Sequence, residues 1–145
     1  MRAALADRRD SVDVFLFQEP WWWKTPHGKW ISASVNAREW QTILPAGDGG
    51  ERPRVITFIR NWTDLAVTLR SDIVTDPFMQ VLDIQQEGTN LWLVHMYNNP
   101  TDRDGLGEMA LERVQRLALN LDVPVIITGD YNTHHPLWAV EGQRE

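Results

Sequence analysis

The chain has 145 residues, 43% of them hydrophobic, with a formal net charge of −6, which suits one globular domain with a real core and excludes a protein that coats nucleic acid by bulk attraction. It contains no Cys, which excludes a disulfide framework and a thiolate metal site and fits a reducing compartment. No stretch reads as transmembrane and Met1 to Arg9 lacks the apolar segment of a secretory signal, so an intracellular location is expected, the nucleus included.

In chain order, Ala3 to Arg9 is rich in helix formers and predicts a helix, ended by Asp10 and Ser11, before the apolar run Val12 to Gln18 predicts a buried strand. Trp21 to Gly28, with Pro20, Pro26 and Gly28, reads as an exposed loop, and Gly47 to Pro53 as a second. The eight Trp residues suggest a core or groove built on bulky rings, but Trp21 to Trp23 cannot all point inward. Trp30 to Ser34, Val55 to Arg60, Leu65 to Leu69, Phe78 to Ile84 and Asn90 to Tyr97 read as short strands. Turn residues at Asn61 to Asp64 and Glu87 to Asn90 make the middle of the domain an antiparallel meander. After Pro100 the period changes: Leu111, Val114, Leu117, Ala118 and Leu121 recur at helical spacing, predicting one amphipathic helix. It leads into a strand over Val123 to Thr128, and the order strand, helix, strand predicts a layered α/β arrangement with helices on one sheet face.

Three predicted strands end in polar groups: Glu19 after the first, Tyr97 with Asn98 and Asn99 after the meander, and Asp130 with Asn132 after the last. Strands ending on one sheet edge would converge these groups in a cleft. If the backbone stays extended through Tyr131, Asp130 and Asn132 project from one face. A carboxylate holds a hard cation or takes a proton, while a carboxamide donates to an anionic oxygen without adding negative charge, a pairing that suits phosphate chemistry. The same Gly129-Asp130-Tyr131-Asn132 is also what a strand-to-loop turn uses; Glu19 is equally a solvated strand terminus, and Tyr97 a packed ring with a wet hydroxyl.

The segments Phe17-Gln18-Glu19-Pro20, Met96-Tyr97-Asn98-Asn99-Pro100 and GDYNTHHPLW from Gly129 to Trp138 resemble the endonuclease/exonuclease/phosphatase superfamily. Within it they look most like the endonuclease domains of LINE-type, non-LTR retrotransposons, of the kind associated with reverse transcriptases. The resemblance implies an α/β fold, a partial two-layer αββα sandwich of DNase I-like type, mainly the first sheet with its covering helices. It implies a Mg²⁺-dependent endonuclease, with Mn²⁺ as an alternative ion, acting on a DNA phosphodiester and not on a membrane. Carried over residue by residue, Glu19 is the metal ligand, Asp130 orients or deprotonates the attacking water, Asn132 donates to the scissile phosphate and Tyr97 positions it. His134 matches a His of many retrotransposon versions, and is equally a loop residue bonding local backbone.

Three departures accompany the matches. The family's first strand carries an Asn at the metal site that has no counterpart here; its Tyr-x-Pro-Asn becomes Tyr97-Asn98-Asn99-Pro100, leaving Asn99 a candidate substitute; and its Ser-Asp-His segment would come after Glu145. The expectation is one incomplete domain over residues 1–145, inactive alone, with an exposed sheet face that a missing second half or a partner would cover. A phosphomonoesterase of the same superfamily and a noncatalytic remnant or interaction module are the alternatives.

Overall fold

The computed structural model describes residues 12–32, 35–47, 50–98 and 110–132. The helix expected over Ala3 to Arg9, and Asn99, His134 and His135, lie outside the described residues. The elements are β1 (Val14–Gln18), β2 (Trp22–Lys24), β3 (Trp30–Ser32), β4 (Trp40–Ile43), β5 (Val55–Arg60), β6 (Ala66–Leu69), β7 (Met79–Gln86), β8 (Thr89–Tyr97), α1 (Ala110–Gln115) and β9 (Val125–Asp130).

They form three sheets: an antiparallel β1-β5-β4, a β2-β3 hairpin, and a four-stranded β6-β7-β8-β9 in which the first three strands form part of the expected meander and β9 runs parallel to β8; β5 and β6 do not pair, so Asn61 to Asp64 joins two sheets instead of closing a hairpin. Side chains alternate across each strand, and the two larger sheets use this to face one another. Val14 and Leu16 of β1, Ile59 of β5 and Ile43 of β4 pack against Leu82, Ile84 and Leu93 of β7 and β8. The opposite face of the three-stranded sheet, with Phe15, Phe17, Ile56, Phe58 and Trp40, is packed with Trp22 and Trp30 of the hairpin. The opposite face of the four-stranded sheet, with Met79, Val81, Trp92, Val94 and Met96, is packed with Ala110 and Val114 of α1. Phe58 and Leu82 are almost wholly buried, each worth about 1.5–3 kcal/mol in water-excluded apolar surface.

This arrangement corrects several expectations. The fold is mixed α/β with several sheets, but the described residues are mostly strand with one short helix. Two facing sheets are present rather than a first sheet alone; they cover one another over β7 and β8, while Ile126 of β9, beside Leu93 on the inner face, is 49% exposed. Among the described residues, a Trp-rich hairpin packs on the outer face of the three-stranded sheet. The loop expected over Trp21 to Gly28 begins as a strand, and the Trp triplet alternates accordingly: Trp22 is buried while Trp21 is 71% exposed. Strand β4 was not expected, because Trp40 and Ile43 face opposite sides of the sheet and the run shows neither alternation nor an apolar block.

The helix is shorter than its periodicity predicts. It ends at Gln115, Leu117 N bonds back to Val114 O at 3.0 Å, and Leu121 is 85% exposed. Leu117, Leu119, Val123 and Val125 also recur at even spacing, and that set is the one packed against the outer face of the four-stranded sheet. A descent by turns, with Leu119 N bonded to Leu117 O at 2.8 Å and Val123 N to Asn120 O at 3.3 Å, thus wins over the helical reading. The crossover from β8 through α1 to the parallel β9 remains as expected.

Candidate active site

The three polar strand ends meet, although on two facing sheets rather than on one. Parallel pairing of β8 with β9 places Tyr97 opposite Asp130, and Asn98 N donates to Asp130 O at 2.8 Å. This register needs Gly129, whose φ is +146° and where a Cβ would fall on the Met96 carbonyl oxygen. Any other residue would push the two strand ends apart.

Glu19 reaches the same rim from β1. Its φ is +47°, a left-handed conformation that costs a non-glycine residue about 1 kcal/mol or more and turns the chain out of the strand. Glu19 N donates to Arg54 O at 2.7 Å, and Arg54 Nη1 returns to Glu19 Oε1 at 2.9 Å. The Arg54 guanidinium also lies 5.7 Å from the centre of the Tyr97 ring. With the Glu19 side chain about half exposed, such a pair adds about 0–1 kcal/mol to stability, so its main effect is on the charge of the rim.

Tyr97 is almost fully buried and reports its neighbours electrostatically. Burial is the largest cause pushing its hydroxyl above the ordinary value; Glu19 adds to this as a hydrogen-bond acceptor and as a charge, Arg54 opposes it, and Asp130 adds to it. The phenol therefore stays protonated at neutral pH, an O–H donor among two carboxylates and a guanidinium.

Asn132 stands beside Asp130 for a reason other than strand alternation. Strand β9 ends at Asp130, Asn132 takes φ +44°, and its N–H donates to Asp130 Oδ1 at 3.0 Å, an Asx-type turn. Its side-chain amide donates to Asn98 O at 2.6 Å, while Asn98 Nδ2 donates to Tyr131 O at 2.9 Å. The two loop ends are laced together by amides, and the tetrapeptide forms the turn that its residues favour. Behind them Arg113 of α1 donates to Asp76 at 2.6 Å and to Asn98 Oδ1 at 3.4 Å, tying the helix to the rim.

Glu19, Tyr97, Asp130 and Asn132 are thus brought together. His134 lies outside the described residues. Arg54 was missed by sequence reasoning; its signal was antiparallel pairing, which puts the residue before β5 at the end of β1. Gln18, Thr57, Gln80 and His95, which lie below the rim between the sheets, carried no signal beyond polar residues inside apolar runs.

The rim's oxygen donors suit a hard divalent cation, and Mg²⁺ is held by one or two carboxylates with waters and substrate completing its shell. Among the described residues no group of three or more His, Asp or Glu side chains could hold an ion, so a closed protein cage is not what the rim offers. Two carboxylates, Glu19 and Asp130, act on the Tyr97 phenol after burial, and Glu19 is paired with the Arg54 guanidinium at 2.9 Å.

Compared with known families, residues 2–145 match the model described as the Endonuclease/Exonuclease/phosphatase family. No curated protein and no solved structure gives a significant match. No helix among the described residues is long and apolar enough to cross a membrane.

Proposed function

Because the chain belongs to the endonuclease/exonuclease/phosphatase family, whose members act on nucleic acid or other phosphate substrates and generally use divalent metal ions, we propose that its rim is a Mg²⁺-dependent phosphodiesterase site of the retrotransposon endonuclease type, acting on DNA within a DNase I-like αββα sandwich. The observation that carries the reading is the meeting of strand ends at one rim, where Tyr97 stands opposite Asp130, Arg54 pairs with Glu19 at 2.9 Å and the Arg54 guanidinium lies 5.7 Å from the centre of the Tyr97 ring.

Glu19 is the residue that would hold the ion, which when bound supplies positive charge against the phosphoryl oxygens. Asp130, exposed at the end of β9, accepts a proton from the attacking water as its oxygen bonds to phosphorus, and the phosphorus–oxygen bond to the sugar breaks with the leaving oxygen taking a proton from solvent. Asn132 supplies an amide donor to the oxygens on which charge grows once its bond to Asn98 O is exchanged for one to the phosphate. Tyr97 donates its O–H to the same phosphate once its bond to Glu19 is exchanged, and the raised pKa keeps that proton in place. Arg54, which pairs with Glu19 at 2.9 Å, would supply a second positive charge beside the ion.

Nicking of supercoiled plasmid DNA in Mg²⁺ tests the reading. Cleavage abolished by Asp130→Ala and by Glu19→Gln, and suppressed by chelator, is the result expected of a competent site, and would correct the inactivity expected of this chain alone from its three departures from the family pattern. Release of inorganic phosphate from a monoester with no nicking would move the site to the phosphatase branch of the family. Binding of DNA without turnover of either substrate would overturn the enzymatic reading altogether.

A further inference from the structure

One polar chain runs through the otherwise apolar space between the two large sheets, directly beneath Glu19. Gln80 Nε2 donates to the backbone carbonyl of Ile43 at 2.9 Å, Thr57 Oγ1 and Gln80 Oε1 are 2.7 Å apart, Thr57 Oγ1 and His95 Nδ1 are 3.2 Å apart, and His95 Nε2 lies 2.9 Å from Gln18 Nε2. Thr57, Gln80 and His95 are wholly buried.

The proton positions follow from one fixed end. A backbone carbonyl only accepts, so the Gln80 amide must turn its NH₂ to Ile43 and its oxygen to Thr57. The Thr57 hydroxyl must then spend its single hydrogen on Gln80 Oε1, which leaves its lone pairs to His95. His95 Nδ1 must carry the hydrogen that meets them, and in a neutral ring Nε2 is then the acceptor for Gln18 Nε2–H. Every member donates once along the line from Gln18 to Ile43. Burial, which drops the imidazole pKa to about 4, keeps the ring neutral at physiological pH.

We propose that His95 is a positioning residue for Glu19: locked as the Nδ1–H tautomer by Thr57 and Gln80, it grips Gln18, the last residue of β1, and so sets the point at which the chain turns into the left-handed conformation of Glu19. Gln18 is the only residue between the buried chain and Glu19, and Glu19 sits at φ +47° instead of continuing the strand. A slack Gln18 would let that turn relax toward the extended conformation and carry the carboxylate away from Arg54 and Tyr97. The proposal deepens the reading of Glu19 as the cation ligand and rests on it for its functional consequence.

The test uses the full chain, isotope-labelled, by nuclear magnetic resonance. Long-range proton–nitrogen correlations at pH 7 should show His95 protonated on Nδ1; protonation on Nε2, or a mixture of tautomers, overturns the proposal. Thr57→Val should move the ring toward the Nε2–H tautomer. His95→Leu should replace the left-handed backbone signature of Glu19, read from its carbon shifts and HN–Hα coupling, by an extended one, and His95→Gln, which can still accept from Gln18, should restore most of it. With Mn²⁺ as probe, paramagnetic broadening at Glu19 should need about 10-fold more ion in His95→Leu, the size of effect usual for residues that orient a metal ligand. Loss of stability with the Glu19 signature and Mn²⁺ response unchanged means a merely structural His95 and sinks the proposal. Wild-type protein in which Mn²⁺ does not touch Glu19 refutes the cation reading instead, and the Glu19 backbone signature then decides the positioning role by itself. Should His95→Leu not fold, the wild-type tautomer and Thr57→Val decide it.

Discussion

Acid should unfold this protein partly through a single imidazole. His95 is neutral in the fold, its pKa lowered by burial from 6.5 to about 4, and the groups it meets are uncharged: Gln18 from β1, Thr57 from β5 and, beyond Thr57, Gln80 from β7. Between the two values the unfolded chain binds a proton that the folded chain does not, so stability rises with pH through this window. The contribution is fully present above about 6.5 and is lost as pH falls toward about 4. At 1.36 kcal/mol per pKa unit the loss amounts to about 2 kcal/mol by pH 5 and about 3 kcal/mol near pH 4. Many carboxylates titrate in the lower part of that range, so the useful quantity is a difference between two proteins. Urea unfolding of wild type and His95→Gln at pH 7, 6 and 5 should show the stability gap shifting in favour of the variant by about 2 kcal/mol, or about 1 M in midpoint for a domain of this size. Parallel pH curves for the two proteins would refute the reasoning, because they would mean that the imidazole titrates alike in both states.

Three further outcomes are expected. Gly129→Ala should cost at least about 2 kcal/mol, since its Cβ meets backbone rather than a movable side chain, and amide exchange should show protection lost first along β9. Tyr97 and Tyr131 are the only tyrosines, which makes their titration by absorbance or carbon shift tractable: Arg54→Ala should raise the Tyr97 pKa and Glu19→Gln should lower it, with thermal stability in Arg54→Ala changed by no more than about 1 kcal/mol. Phe58→Ala, at the buried contact between the three-stranded sheet and the hairpin, should cost about 3–5 kcal/mol, whereas Leu121→Lys, at an exposed site, should stay within about 0.5 kcal/mol by chemical denaturation.

What the sequence revealed depended on how many faces each element buries. Strands β5, β7 and β8 are apolar on both faces, so they stand out as continuous runs, and the turns between the meander strands are marked by Asn, Asp and Gly. Strand β4 buries one residue on each side and β2 is three residues long, and neither length nor pattern distinguishes such pieces from loop. The helix was misjudged in length because Leu117 belongs to two periodicities at once, and only the tertiary contact selects between them. For the rim, the end of each apolar run located Glu19, Tyr97 and Asp130, but not the sheet each belonged to. Arg54 was invisible because its importance lies in a pairing that spans 35 residues of sequence. Asn132 came to the right place through an Asx turn that depends on a positive φ, which a rule of strand alternation does not contain.

The inner space of the molecule changes character along the strands, and this change explains why the rim can hold strained and charged groups together. At one end Leu82, Ile84 and Leu93 meet Ile59 and Leu16 with no polar side chain among them. One step nearer the rim the inward positions become Gln80, Thr57, His95 and Gln18, each bonded to the next. One step further come Glu19, Tyr97 and Arg54. A directional chain of hydrogen bonds is a stiffer support than an apolar layer of the same volume, because a methyl contact tolerates sliding while each donor here has one acceptor. It also leaves no charge of its own beneath the carboxylates, so the field at the rim is set by Glu19, Asp130 and Arg54 alone among the groups that act on Tyr97. Replacing the layer with well-packed aliphatic side chains could leave the fold as stable as before and still loosen the left-handed turn at Glu19. Stability and site geometry would then respond separately to the same substitutions, a separation that the position of His95 between core and rim makes measurable.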